Sequence, residues 1–267
     1  MGGGCAQPDL LGRPRDGRPL RRHGAAGRAG RRHPDVLQEP AVIDGAEGVR
    51  LALDHRGSGT RLVFTHGWAN DRSVWSALSD DLTCDHRVTT WDLRGHGGSD
   101  VPEAGCYSRS HALADLGAVI ADAERPAVLI GHSLGGYLSL AYAIDHPADV
   151  AGLVLIAAGP GFRKAEARKQ WNASVRDSAA RMDMAPGVEE LSMHVDSTVI
   201  DRLTEITAPT LVLLGERDKR FAAAAGLFGR DLNVHDTVVV PDQGHMVHLK
   251  AADRCAAAIR SFVAGIS

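Results

Sequence analysis

The chain has 267 residues, 30 Lys plus Arg against 33 Asp plus Glu, 44% hydrophobic and 24% charged residues, a globular composition that excludes collagen, wholesale disorder and a membrane-spanning architecture. This length buries a core without staples. The four cysteines, Cys5, Cys84, Cys106 and Cys255, form no C-x-x-C pair for a zinc ribbon or redox motif, so a reducing compartment, the cytoplasm, is expected.

Residues 1–40 hold eight Arg against four acidic residues, are rich in Gly and Pro, and show neither helical nor strand periodicity. Arg21-Arg22 and Arg31-Arg32 suggest a twin-arginine signal, but no apolar run of seven or more residues follows either pair, so export is rejected. The segment reads as a disordered extension, or as translation from a start placed too far upstream. The remainder carries 22 basic against 29 acidic residues, with no electrostatic footprint for nucleic acid.

From residue 41 short β-branched and Leu-rich runs alternate with Ala-rich stretches, which predicts a mostly parallel sheet covered by helices on both faces. Strands are expected near 49–54, 61–65, 87–91, 127–131, 153–157, 210–214 and 236–240. Helices are expected near 72–83, 109–124, 134–146, 219–229 and 247–264. Residues 161–206 interrupt the alternation with charged, helix-favouring sequence and read as a cap inserted into a domain spanning 41–267.

The expected strand ending at Gly131 runs through His132, Ser133, Leu134 and Gly135 directly into a helix. This is a G-x-S-x-G turn in its strand–turn–helix context. Small neighbours allow a sharp turn at the serine, and the helix N-terminus behind it favours developing negative charge. A serine nucleophile needs a base and a group that orients the base. His245, just past the last strand, is the candidate base, with His132 directed into the support of the turn and His248 facing elsewhere along the helix. Asp218, one turn past the 210–214 strand, is the candidate orienting acid, with Glu216 as its alternative. His55 and His194 read as solvated or packing residues. The backbone N–H of Leu134 and that of Trp68, after the His66-Gly67 turn, are the candidate oxyanion donors. The Trp68 indole then either walls the pocket or packs in the core.

With these features in this order, together with the run Asp92-Leu93-Arg94-Gly95-His96-Gly97, residues 45–265 resemble the α/β-hydrolase fold superfamily, small-cap carboxylesterase type. The resemblance implies an α/β fold with an eight-stranded-type, mostly parallel sheet. It also implies a cofactor-independent and metal-independent serine hydrolase acting on a small or medium ester, with no nucleic-acid partner and no membrane insertion. The same machinery serves carbon–carbon bond hydrolases, lactonases and perhydrolases, and some members of the fold sense ligands with little turnover. Relative to lidded members the cap is short, which implies an open pocket; Met182, Met184, Met193, Trp171 and Val195 are its candidate lining.

Overall fold

The structure, a computed structural model, describes residues 41–266; the extension expected over residues 1–40 lies outside the described residues. Eight strands form one sheet: β1 (Ala41–Asp44), β2 (Arg50–Arg56), β3 (Thr60–Thr65), β4 (His86–Trp91), β5 (Ala127–His132), β6 (Val150–Ile156), β7 (Thr210–Gly215) and β8 (Val234–Val240). Their spatial order is β1-β2-β4-β3-β5-β6-β7-β8. The β1–β2 and β2–β4 pairs are antiparallel and all the others are parallel.

Among the described residues eight α-helices connect and flank the strands: α1 (Ser76–Leu82), α2 (Arg109–Asp122), α3 (Leu134–Asp145), α4 (Ala165–Arg181), α5 (Thr198–Asp201), α6 (Ala222–Asp231), α7 (Val247–Lys250) and α8 (Ala252–Ile266). The two-residue period of the strands sorts their side chains between two cores. Leu62, Phe64, Val128 and Ile130 pack with α1, α7 and α8, whereas Val63, Leu129, Val212 and Leu214 pack with α2, α3 and α6. Central strands buried on both faces explain the near-continuous apolar runs of the sequence.

Two differences from the sequence reading have local causes. Strand β1 was not among the expected elements; it has only four residues, largely exposed, and exists through its pairing with β2, Ala41 opposite Leu53. The helix expected over 247–264 is divided at Ala251, where φ −139° and ψ 52° leave the helical region. Within 161–206 the chain forms α4, α5 and short 3-10 turns and adds no strand.

Candidate active site

Strands β3, β5, β7 and β8 end on one edge of the sheet, and the loops that leave them meet there. Ser133 sits between β5 and α3 with φ 51° and ψ −110°, a left-handed conformation that a residue with a β-carbon adopts only under constraint. The constraint is local. Its N–H donates to the Ile156 carbonyl at 3.0 Å, and the flanking glycines admit close backbone approach. A β-carbon on Gly131 would lie 2.4 Å from the Gly135 carbonyl oxygen, and one on Gly135 would lie 2.1 Å from the Thr65 oxygen.

Asp218 is buried and its Oδ2 meets Nδ1 of His245 at 2.8 Å. Glu216 instead accepts the Asp242 N–H at 3.0 Å, so of the two acids only Asp218 is paired with this imidazole. Phe221 stacks on the His245 ring, with centroids 5.1 Å apart and planes 18° apart. Ser133 and His245 line one cavity, but among the described residues no hydrogen bond joins them. The backbone N–H groups of Trp68 and Leu134 donate to no acceptor among the described residues. The Trp68 indole faces the cavity and donates to Ser178 Oγ at 3.4 Å.

Supporting residues act behind this face. His132 is buried and its Nε2–H donates to the carbonyl of His245 at 3.1 Å, tying the turn at Ser133 to the His245 loop. Burial and the neighbouring His248 and His245 rings hold its pKa well below the usual imidazole range. His248 is buried between His132 and Trp75. His66 donates from Nδ1 to the Gly67 carbonyl at 2.8 Å and accepts the Leu93 N–H at Nε2, at 3.0 Å; burial pushes its pKa down to about 3. Asp92, fully buried, accepts the N–H groups of Arg72 and Gly98 at 2.6 and 2.8 Å. The Asp92–Gly97 run therefore fixes loop shape.

His194, read as a solvated or packing residue, is a packing one. It is buried, with Tyr137, Phe162 and Trp171 rings 4.5, 5.4 and 5.7 Å away, and burial pushes its pKa down to about 4. With Ser133 it lines an apolar cavity of about 430 Å³ that also takes in Leu134, Tyr137, Phe162 and Phe221. A second cavity of about 310 Å³ holds Trp68, His132, His245, Arg181 and Arg220. Trp171, Ser192 and Arg220 border both. The other expected lining residues do not: Met182 and Val195 are 55% and 72% exposed, and Met184 packs against the core. Met193 lines neither cavity.

Arg109 forks onto both oxygens of Asp196 at 2.8 and 2.7 Å and donates to the Tyr137 hydroxyl at 3.0 Å. This holds the Asp196 carboxyl far below the carboxylate range and ties the cap to the body. Among the described residues no three His, Cys, Asp or Glu side chains are placed to hold a metal ion, and no helix is long and apolar enough to cross a membrane.

Comparison with known proteins agrees with this architecture. A pimeloyl-[acyl-carrier protein] methyl ester esterase of Xanthomonas oryzae pv. oryzae is 28% identical over 262 residues, covering 81% of this chain and all of the relative. An esterase from Thermogutta terrifontis superposes with a TM-score of 0.71 at 25% identity, over 85% of this chain and 99% of its own. A hydrolase from Pseudomonas aeruginosa superposes at 0.74 with 22% identity, over the same 85% and 99%. Residues 62–258 match the sequence profile described as the alpha/beta hydrolase family, and the chain belongs to that family.

Proposed function

We propose that the chain is a serine hydrolase that cleaves a carboxylic ester of a small or medium substrate through an acyl-enzyme. Ser133 Oγ attacks the carbonyl carbon while the imidazole of His245 takes its proton. Asp218 holds Nδ1–H of that imidazole and stabilises the imidazolium. The Trp68 and Leu134 N–H groups receive the oxyanion. The tetrahedral intermediate collapses, the alcohol leaves with the proton from His245, and water, deprotonated by the same imidazole, releases the acid from Ser133.

The observation that carries this reading is the Asp218–His245 hydrogen bond at the rim of the cavity that also holds the strained Ser133. Hydrogen bonds between nucleophile and base commonly tighten only in the substrate complex. An apolar cavity of about 430 Å³ is at the small end of ligand sites, which span roughly 300–1,000 Å³. Residues 41–267 act as one domain whose cap is 161–206. The unpaired Cys84, Cys106 and Cys255 favour a reducing compartment such as the cytoplasm.

The test is turnover of p-nitrophenyl esters with acyl chains of two to twelve carbons. Wild type is expected to show a burst, and Ser133→Ala to lose about 10⁴-fold or more in kcat. Activity that survives Ser133→Ala overturns the assignment.

A further inference from the structure

The two cavities that meet at Ser133 differ in chemistry. The larger is walled by Leu134, Tyr137, Phe162, Ile200 and Leu227. The smaller contains two arginines, several hydroxyls and no acidic residue; Arg181 lines it alone, and Arg220 stands at the junction and borders the larger cavity as well. Among the described residues most guanidinium groups have a carboxylate: Arg56, Arg72, Arg94, Arg109, Arg202 and Arg260 are each paired with one, whereas Arg50, Arg176, Arg230 and Arg254, away from the two cavities, are not. Arg181 and Arg220 have neither a hydrogen bond nor an ion pair among the described residues. They come from separate elements, Arg181 from the last turn of α4 in the cap and Arg220 from the loop after β7, two residues past Asp218. The Arg220 guanidinium lies over the Trp171 ring, 5.4 Å from its centroid. That contact steadies the planar fork and leaves its N–H edges for an acceptor.

The reaction geometry tells the two cavities apart. A leaving oxygen must reach the imidazole that protonates it, and His245 lines only the smaller cavity. The smaller cavity therefore takes the alcohol half and the larger one the acyl half. An unpaired arginine pair facing the alcohol half matches the oxygens of a carboxylate or a phosphate, which guanidinium groups bind in bidentate fashion.

We infer that the substrate is an apolar acyl group joined through an ester or thioester to an alcohol or thiol that carries an anionic group, and that Arg181 and Arg220 bind that anion. This rests on the serine-hydrolase reading above and adds to it the class of leaving group.

The test uses the full chain and a set of hexanoyl esters. One has a neutral alcohol, one the same alcohol ending in a carboxylate, one the same alcohol ending in a phosphate monoester, and one carries the carboxylate on the acyl half instead. Wild type is expected to favour the alcohol-side anions over the neutral ester by about tenfold in kcat/KM, the effect of one charge-assisted contact, and added salt is expected to shrink the ratio. The carboxylate and phosphate arms identify which anion is preferred. In Arg181→Gln and Arg220→Gln the anionic-to-neutral ratio should fall about tenfold, mainly through KM, whereas Arg254→Gln, on the exposed side of α8, should keep it. A ratio near one in wild type, a preference for the acyl-side anion, or equal losses on every ester in the two variants overturns the inference; the last outcome reads Arg181 as a favourable charge at a helix C-terminus. Calorimetric binding of the anionic esters to Ser133→Ala, with and without each arginine, separates the two readings. Arginine-dependent binding without turnover by wild type sinks the serine chemistry and keeps the anion site. Turnover of the neutral ester without arginine-dependent binding does the reverse.

Discussion

A methyl group on Gly135 would meet backbone on the far side, the Thr65 oxygen at 2.1 Å and its carbon at 2.7 Å. Neither strand β3 nor helix α3 can withdraw without moving the central sheet, so the overlap is relieved only by displacing the turn that holds Ser133. Gly135→Ala is expected to cost about 1–3 kcal/mol or more, which lowers Tm by roughly 2–4 °C per kcal/mol in a domain of this size. Gly229 provides the contrast, because it is exposed within α6 and nothing lies within 4 Å of an added β-carbon. Gly229→Ala is expected to stabilise by about 0.5–1 kcal/mol through helix propensity. Thermal unfolding of the two variants checks both signs, and an unchanged Tm in Gly135→Ala contradicts the steric account. The same locality explains which residues of the candidate site were legible in the sequence. The turn at Ser133 is written in contiguous residues, and Asp218 and His245 follow strands that end on the same edge. The places of His194, Arg181 and Arg220 on the cavity walls escaped because they depend on how residues 161–206 fold over the body. A polar residue flanked by Met193 and Val195 gives no hint that three aromatic rings enclose it.

At the scale of elements, the link between β4 and α2 depends on a buried ion pair. Arg94 and Asp115 have no exposed side-chain surface and exchange two hydrogen bonds of 2.6 and 2.7 Å. The remaining capacity is used locally: Arg94 donates to the Cys106 and Ala46 carbonyls at 2.6 and 3.2 Å, and Asp115 accepts the Ala46 N–H at 2.8 Å. One pair thus joins α2, the loop after β4 and the 3-10 turn that follows β1. Asp115→Ala strands a buried guanidinium and is expected to cost about 3–5 kcal/mol, whereas the double variant Arg94→Met with Asp115→Leu removes both charges and should lose less than the single variant. Urea unfolding of the three proteins measures this, and a double variant less stable than Asp115→Ala refutes it. The sequence run through Arg94 was legible as part of the family resemblance, but its partner on α2 was not, because the two are 21 positions apart and a helix pattern alone does not mark Asp115 as inward-facing. Element types were legible where burial on both faces writes a continuous apolar run, as in β5 and β7. The four-residue β1 is largely exposed and writes none.

For the whole molecule the consequence of this architecture is an acid-sensitive fold. Histidines from several elements are enclosed near the carboxyl edge of the sheet: the His66 and His96 rings are 5.3 Å apart, His132 and His248 4.2 Å apart, and His194 of the cap packs 4.5 Å from the Tyr137 ring. Burial first, and for His66 and His248 a neighbouring imidazole second, pushes the pKa of each of those two down to about 3, and burial pushes that of His194 to about 4. Neither ring nitrogen of His248 has a hydrogen-bond partner among the described residues, so a proton there meets no acceptor. In the unfolded chain these groups titrate near the ordinary value of about 6.5. Between that pH and about 4 the unfolded state therefore binds more protons than the folded state, and stability falls as pH falls. The stabilisation is complete above about pH 6.5 and is lost progressively toward pH 4, by about 1.4 kcal/mol per pH unit for each such histidine. Asp196, held far below its usual range by Arg109, takes up a proton only in the unfolded chain and so adds to the loss in the same direction as the pH approaches 4. Urea unfolding from pH 7.5 to 4.5 should show this slope, and His248→Phe, which keeps an aromatic ring against Trp75 and His132, should reduce it by about one proton whatever its effect on stability at pH 7.5. Stability that stays level from pH 7 to pH 5 would mean that these imidazoles find their protons inside the fold, contrary to their burial.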